Sequence, residues 1–173
     1  MKTKKIILSG IFIAFGLILP MFFHTFNMAG SIFLPMHIPV LIGGFLLGPL
    51  YGGLVGLLTP ILSGFMTGMP PLVPVMPIMA FELCAYGVIS GFLFEKTNKI
   101  YISLIGAMIG GRLFAVLGAF IVSLTIAPKV SPFMFVFGNL VNAIPGMLIQ
   151  LIFIPILIKF TTKNPEIKRS LAS

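Results

Sequence analysis

"MHIPVLIGGFLLGPLYGGLVGLLTPILSGFMT", residues 36–67, contains no Asp, Glu, Lys or Arg. In hydrocarbon a backbone must satisfy its own hydrogen bonds, and a helix needs about 20 apolar residues to cross a core about 30 Å thick. The stretch is too long for one crossing, and Gly48-Pro49 falls where a turn is needed, proline being unable to continue a helix from within. It reads as two spans, 36–48 and 51–67, joined tightly. Pro35, Pro39 and Pro49 edge the first, which predicts a short, tilted or partly re-entrant segment buried by the rest of the protein.

The pattern continues outward. Of 173 residues 58% are hydrophobic and 8% charged, and the mean hydropathy is +1.18, far from the balance of soluble domains. Further apolar runs at 6–23, 76–94, 100–126 and 133–159 bring the expectation to six spans in one transmembrane domain, 1–173. The expected fold is an all-α integral membrane protein, a six-transmembrane-helix bundle with no room for a soluble catalytic domain. The basic start and apolar run of "MKTKKIILSGIFIAFGLILP" look like a signal peptide, but no small-x-small cleavage site follows, so it reads as a retained first helix.

The net charge of +8 is a topology signal. Lys2, Lys4 and Lys5 precede the first span, Lys96 and Lys99 separate the fourth from the fifth, and Lys159, Lys163, Lys168 and Arg169 follow the sixth. The positive-inside rule puts all three regions, and so both termini, in the cytoplasm of a multi-pass protein of the bacterial plasma membrane. Lys129 is the one charge expected outside. Basic residues so placed exclude nucleic acid as a partner. Small residues four apart (Gly44, Gly48, Gly52, Gly56; Gly87, Gly91; Ala107, Gly111, Ala115, Ala119) predict close helix packing. Two connections expected outside, "FFHTFNMAGSIFLPMHIP" and "FMTGMPPLVPVMP", are apolar and almost uncharged, unlike loops in water; they fit lids folded over a pocket or, alternatively, segments lying in the interfacial lipid layer.

Ionisable residues at membrane depth are functional candidates. Glu82, in "MAFELCAYG", and Arg112 are the two here; they pair with each other, or Glu82 faces a ligand pocket or its lids. Asn139 and Asn142 share a helix face, with Gln150 deeper on it, and their amides suit a neutral or zwitterionic solute or hydrogen bonds between helices. His37 joins them near the outer half, and Met69 sits in the Pro-rich loop among adaptable thioethers. His24 is expected at the interface, and Cys84, the single cysteine, as a small core residue.

Other classes lack their signatures. "GGFLLGPL" has glycines but neither the lysine nor the hydroxyl of a P-loop, so the chain is not expected to hydrolyse ATP. Three acidic residues, two of them Glu95 and Glu166 at expected cytoplasmic edges, form no metal cluster, and no nucleophile motif is present. An enzyme is not expected. No internal repeat of the kind found in complete secondary transporters is visible.

"FLPMHIPVLIGGFLLGPLYGGLVGLLTPILSGFMTGMPP", followed by a span carrying "FELCAYG", resembles the substrate-binding S components of energy-coupling factor (ECF) vitamin transporters, in the group that includes the riboflavin and pantothenate types. The resemblance covers essentially the whole chain. It implies capture of a water-soluble vitamin or precursor at the outer face, with Glu82, Asn139, Asn142, His37, Met69, Gln150 and Arg112 as candidate contacts. It also implies a transmembrane coupling protein and two cytoplasmic ATPases as partners. ATP would be used by those partners, with no cofactor and no metal on this chain. The family's first span commonly carries two alanines four apart against the coupling protein, and here Gly10 and Ala14 hold those positions. Loop resemblance favours pantothenate slightly over riboflavin, a folate, a thiamine precursor or a cobalamin fragment. Two rivals remain, a structural or assembly subunit of a membrane complex and a stand-alone small permease.

Overall fold

A computed structural model describes residues 2–24, 32–128 and 131–163. Within them six helices follow one another: α1 Lys2–His24, α2 His37–Leu47, α3 Pro49–Thr67, α4 Val75–Thr97, α5 Ile100–Thr125 and α6 Pro132–Lys163. Five are long and apolar enough to cross a membrane, and no strand occurs among the described residues. α2 is the exception. Its 11 residues span about 16 Å, roughly half a bilayer core.

The short helix is the centre of the bundle. It packs on α1, α3, α4 and α6, and His37, Pro39, Val40, Leu41, Ile42, Gly43, Gly44, Phe45 and Leu47 are all buried. A helix apolar on every side belongs inside a protein, and only there can the irregular chain at its start avoid lipid. Around it Leu83 and Tyr86 of α4, Leu104 and Met108 of α5, and Ile154 and Ile158 of α6 complete the main core. Large apolar side chains such as Ile11, Phe15, Leu113, Phe120, Phe133 and Ile152 face outward, as lipid contact requires.

The turn after α2 is made by Gly48, whose φ of 90° strains any residue with a Cβ, and Pro49 opens α3, where a missing N–H costs nothing. Lys5 Nζ donates to the Leu47 carbonyl at 2.9 Å, and the Glu95 carboxylate lies against Gly48. The start of α1, the α2–α3 turn and the end of α4 therefore share one end of the bundle, with α5 starting at the same end. This basic end holds Lys2, Lys4, Lys5, Lys96 and Lys99.

Glycines set the spacing of α2, α3 and α4. A Cβ on Gly52 would stand 2.5 Å from Gly44 Cα and 2.7 Å from the Gly87 carbonyl oxygen, so three backbones meet where any side chain would push them apart. On α5, Ala107, Ala115 and Ala119 are buried, and the Tyr86 ring covers Gly111.

Candidate functional site

At the end away from Lys5 the helices diverge around a cavity of about 380 Å³. The half-length of α2 opens it, and the chain entering α2 supplies one wall through Leu34, Pro35, Met36 and His37. Leu34 is held at φ 51°, a left-handed conformation that costs an L residue about 1–2 kcal/mol. α4 contributes Val75, Ile78, Met79 and Glu82; α5, Arg112 and Ala115; α6, Phe135, Val136, Asn139 and Ala143; Pro20 closes the α1 side.

The mouth is covered in part by the α3–α4 connection. Gly68 ends α3 in the left-handed conformation, Ser63 Oγ donates to the Met69 carbonyl at 2.6 Å, and Thr67 Oγ1 reaches the same oxygen at 3.1 Å. These bonds hold Met69, Pro70 and Pro71 against the cavity. The prolines cannot extend α3 or α4 over the opening, so the segment crosses it as a strap. Residues 25–31 of the other expected lid lie outside the described residues.

The polar groups gather at the base. Glu82 Oε1 is 2.9 Å from Arg112 Nη1 and 3.6 Å from His37 Nε2, with the three side chains 7%, 17% and 2% exposed respectively. Both sequence alternatives for Glu82 hold together: it pairs with Arg112 and it lines the cavity. A carboxylate and a guanidinium at this depth need each other, because a buried charge without its partner costs about 3–5 kcal/mol. The pair is not saturated. Arg112 Nε and Nη2 and His37 Nδ1 have no hydrogen-bond partner among the described residues.

Tyr86 supports this cluster and was not singled out from the sequence. Its ring stands edge-on to His37, at 5.0 Å between centroids and 88° between planes, and it is wholly buried. The signal was present as four-residue spacing from Glu82, which puts both side chains on one face of α4.

The remaining candidates divide. Asn139 lines the cavity and turns its Nδ2 to the Phe135 carbonyl at 2.7 Å. Met69 sits at the rim, 47% exposed. Asn142 is exposed and away from the cavity, and Gln150, wholly buried with both amide atoms unpartnered, lies about two turns beyond Ala143 on α6 and does not line it. Gly10 and Ala14 are on the exposed side of α1, and a Cβ on Gly10 would meet nothing within 4 Å. Among the described residues no three His, Cys, Asp or Glu side chains gather to hold a metal ion.

A family model described as ECF transporter, substrate-specific component matches residues 4–158. No curated protein and no solved structure matches the chain.

Proposed function

The chain belongs to the substrate-specific components of ECF transporters, and from that premise we propose that it captures a water-soluble vitamin or precursor in the cavity above Glu82 for ATP-driven uptake. It is a multi-pass protein of the cell membrane, and its family is one of transporter components, not of enzymes. Membership implies a small-molecule substrate and association with a coupling protein and ATPases.

The observation that carries the reading is a buried, unsaturated polar cluster, Glu82, Arg112 and His37, at the base of a mostly apolar cavity. Such a pocket fixes a solute by a few directed bonds and takes most of its surface out of water. The cavity mouth faces outside the cell in this reading, because the opposite end carries the lysines of the positive-inside rule. The chain entering α2 completes a sixth crossing that α2 alone is too short to make, which returns both termini to the cytoplasm. Pantothenate is the first solute to test. Gly10 and Ala14 offer the coupling protein a flat surface, and ATP is used by the partner ATPases, with no cofactor on this chain.

An assembly subunit would also contain a buried Glu82–Arg112 pair, but it would have no need of the cavity over it. Purified protein is titrated with a panel of water-soluble vitamins by calorimetry. One vitamin is expected to bind, and Glu82→Gln to weaken it at least about tenfold. Uptake of that vitamin should vanish in cells lacking the ATPases and fall with Gly10→Leu at unchanged binding. No binding across the panel, or uptake that persists without the ATPases, sinks the reading.

A further inference from the structure

α6 changes character part-way along its length. From Met147 inward its bundle face joins the main core through Met147, Leu151, Ile154 and Ile158. From Pro132 to Ile144 only Val136 and Ala143 are buried, and Phe133, Met134, Phe137, Val141 and Ile144 stand exposed. This outer half is nonetheless a wall of the cavity, through Phe135, Val136, Asn139 and Ala143. Among the described residues its anchorage is one small cluster, Val136 and Phe135 with Ile78 of α4 and Ala115, Ala119 and Val122 of α5. Alanines offer few atoms to hold a neighbour by dispersion, so the contact is shallow. A segment with so few buried contacts belongs to the low-stability end of a fold.

The two halves meet at Pro145 and Gly146. Pro145 has no N–H for the carbonyl four residues back, that of Val141, and its ring presses on that carbonyl; sharp helix kinks occur at such residues. The ladder between the halves is therefore weakest at the depth where the cavity ends, just past Ala143. Two residues at about 100° each put Pro145 about 200° round the helix from Ala143, and it is exposed. With the proline on the lipid side, opening of the helix there inclines the outer half toward the bundle, over the cavity. Gly146 fixes the point about which it turns. A Cβ there would lie 2.6 Å from the Ile32 carbonyl oxygen and 2.8 Å from that of Phe33, so α6 rests backbone to backbone on the chain entering α2. The second proline of α6, Pro155, is buried in the packed half, where its neighbours hold any bend.

We propose that the outer half of α6, 132–144, is a hinged wall that turns at Pro145 and Gly146 to open and close the cavity. The inference rests on vitamin capture for what passes the wall, whereas the hinge itself needs no ligand. The outer half is about 20 Å long, so a change of about 20° in the bend carries its tip through about 7 Å. Turned outward, it draws Phe135, Val136 and Asn139 away from α4 and α5 and widens the mouth; turned inward, it sets them against the solute.

The test uses full-length protein in detergent, with Cys84→Ala to free the chain of its own thiol. Spin labels at Met66→Cys and Met134→Cys, exposed at the outer ends of α3 and α6, measure across the cavity; a control pair replaces the second with Phe160→Cys on the packed half of α6. In ligand-free protein, pulsed EPR should show the first pair spread over at least about 5 Å more than the control. Pro145→Ala, which restores the N–H, should remove at least about half of that excess, and a bound vitamin should narrow it too. In Pro145→Ala, association and dissociation of the vitamin should both slow about three- to tenfold, with Kd within about twofold. A merely structural proline would shift Kd and leave the two rates unmatched. Equal spread in the two label pairs, or an excess that Pro145→Ala or the vitamin leaves unchanged, overturns the hinge. Unaltered or unmatched rates in Pro145→Ala overturn its gating of the cavity. Failure of every vitamin to bind overturns vitamin capture alone, since the label distances decide the hinge without ligand.

Discussion

Glu82→Gln is the perturbation whose size the structure fixes best. The substitution keeps the shape of the side chain and removes the charge that faces Arg112 Nη1 at 2.9 Å, where the two side chains are 7% and 17% exposed. Breaking a buried pair by removing one partner costs about 3–5 kcal/mol, because the survivor keeps its desolvation penalty. For a chain of this length each kcal/mol moves the midpoint of unfolding by about 2–4 °C, so the expected fall is about 6–20 °C. Arg112→Gln should cost a similar amount. The double variant, with neither charge, should lose well under the sum of the two single losses, leaving a coupling of at least about 2 kcal/mol. With no Trp and three Tyr in the chain, intrinsic fluorescence is a poor probe. Circular dichroism of ligand-free protein in detergent suits, with a thiol dye on half-buried Cys84 as an independent reporter. Strict additivity of the two single variants, or falls below about 2 °C, would refute the claim that the pair is buried and mutually dependent.

Two further outcomes follow from geometry. Asn139→Ala is expected to weaken vitamin binding several-fold and Asn142→Ala to leave it within about twofold, since only the first lines the cavity; calorimetry on both decides it. Gly52→Ala should lower the unfolding midpoint by about 2–12 °C, because its Cβ would lie 2.5 Å from Gly44 Cα and overpacking costs about 1–3 kcal/mol, whereas Gly10→Ala, with open space around it, should leave the midpoint unchanged.

Hydrocarbon leaves a chain few options, and for that reason the helices are legible in the sequence. The expected run 76–94 is Val75–Thr97 in the structure, and 51–67 is Pro49–Thr67. Pro35, Pro39 and Pro49 marked the second run as irregular, and it is the 11-residue α2. Charge at membrane depth was as informative: Glu82 and Arg112, thirty residues apart in sequence, stood out as soon as topology put them at depth. Asn142 and Gln150 resisted because an amide has no such signature; the rotation of α6, which puts Asn139 on the cavity and Asn142 away from it, comes from packing against α5 and α2. Tyr86 was hidden because a tyrosine in an apolar helix looks the same whether it reaches the lipid headgroups or packs its ring on a buried histidine.

The half-length of α2 gives the cavity a subtractive origin. A full crossing needs about 30 Å and α2 supplies about 16 Å, so roughly 14 Å of a cylinder about 10 Å across is absent, a volume on the order of 1,000 Å³. The cavity of about 380 Å³ lies in that region, beside the connecting residues Leu34, Pro35 and Met36. The segment before His37 and the strap at 69–71 form one side of the cavity and α4, α5 and α6 the rest, while the glycine-locked contact of α2, α3 and α4 does not touch it. Exchanging the connecting segments would reshape one side of the cavity and leave the polar groups on the helices, and the glycine-packed layer below, in place.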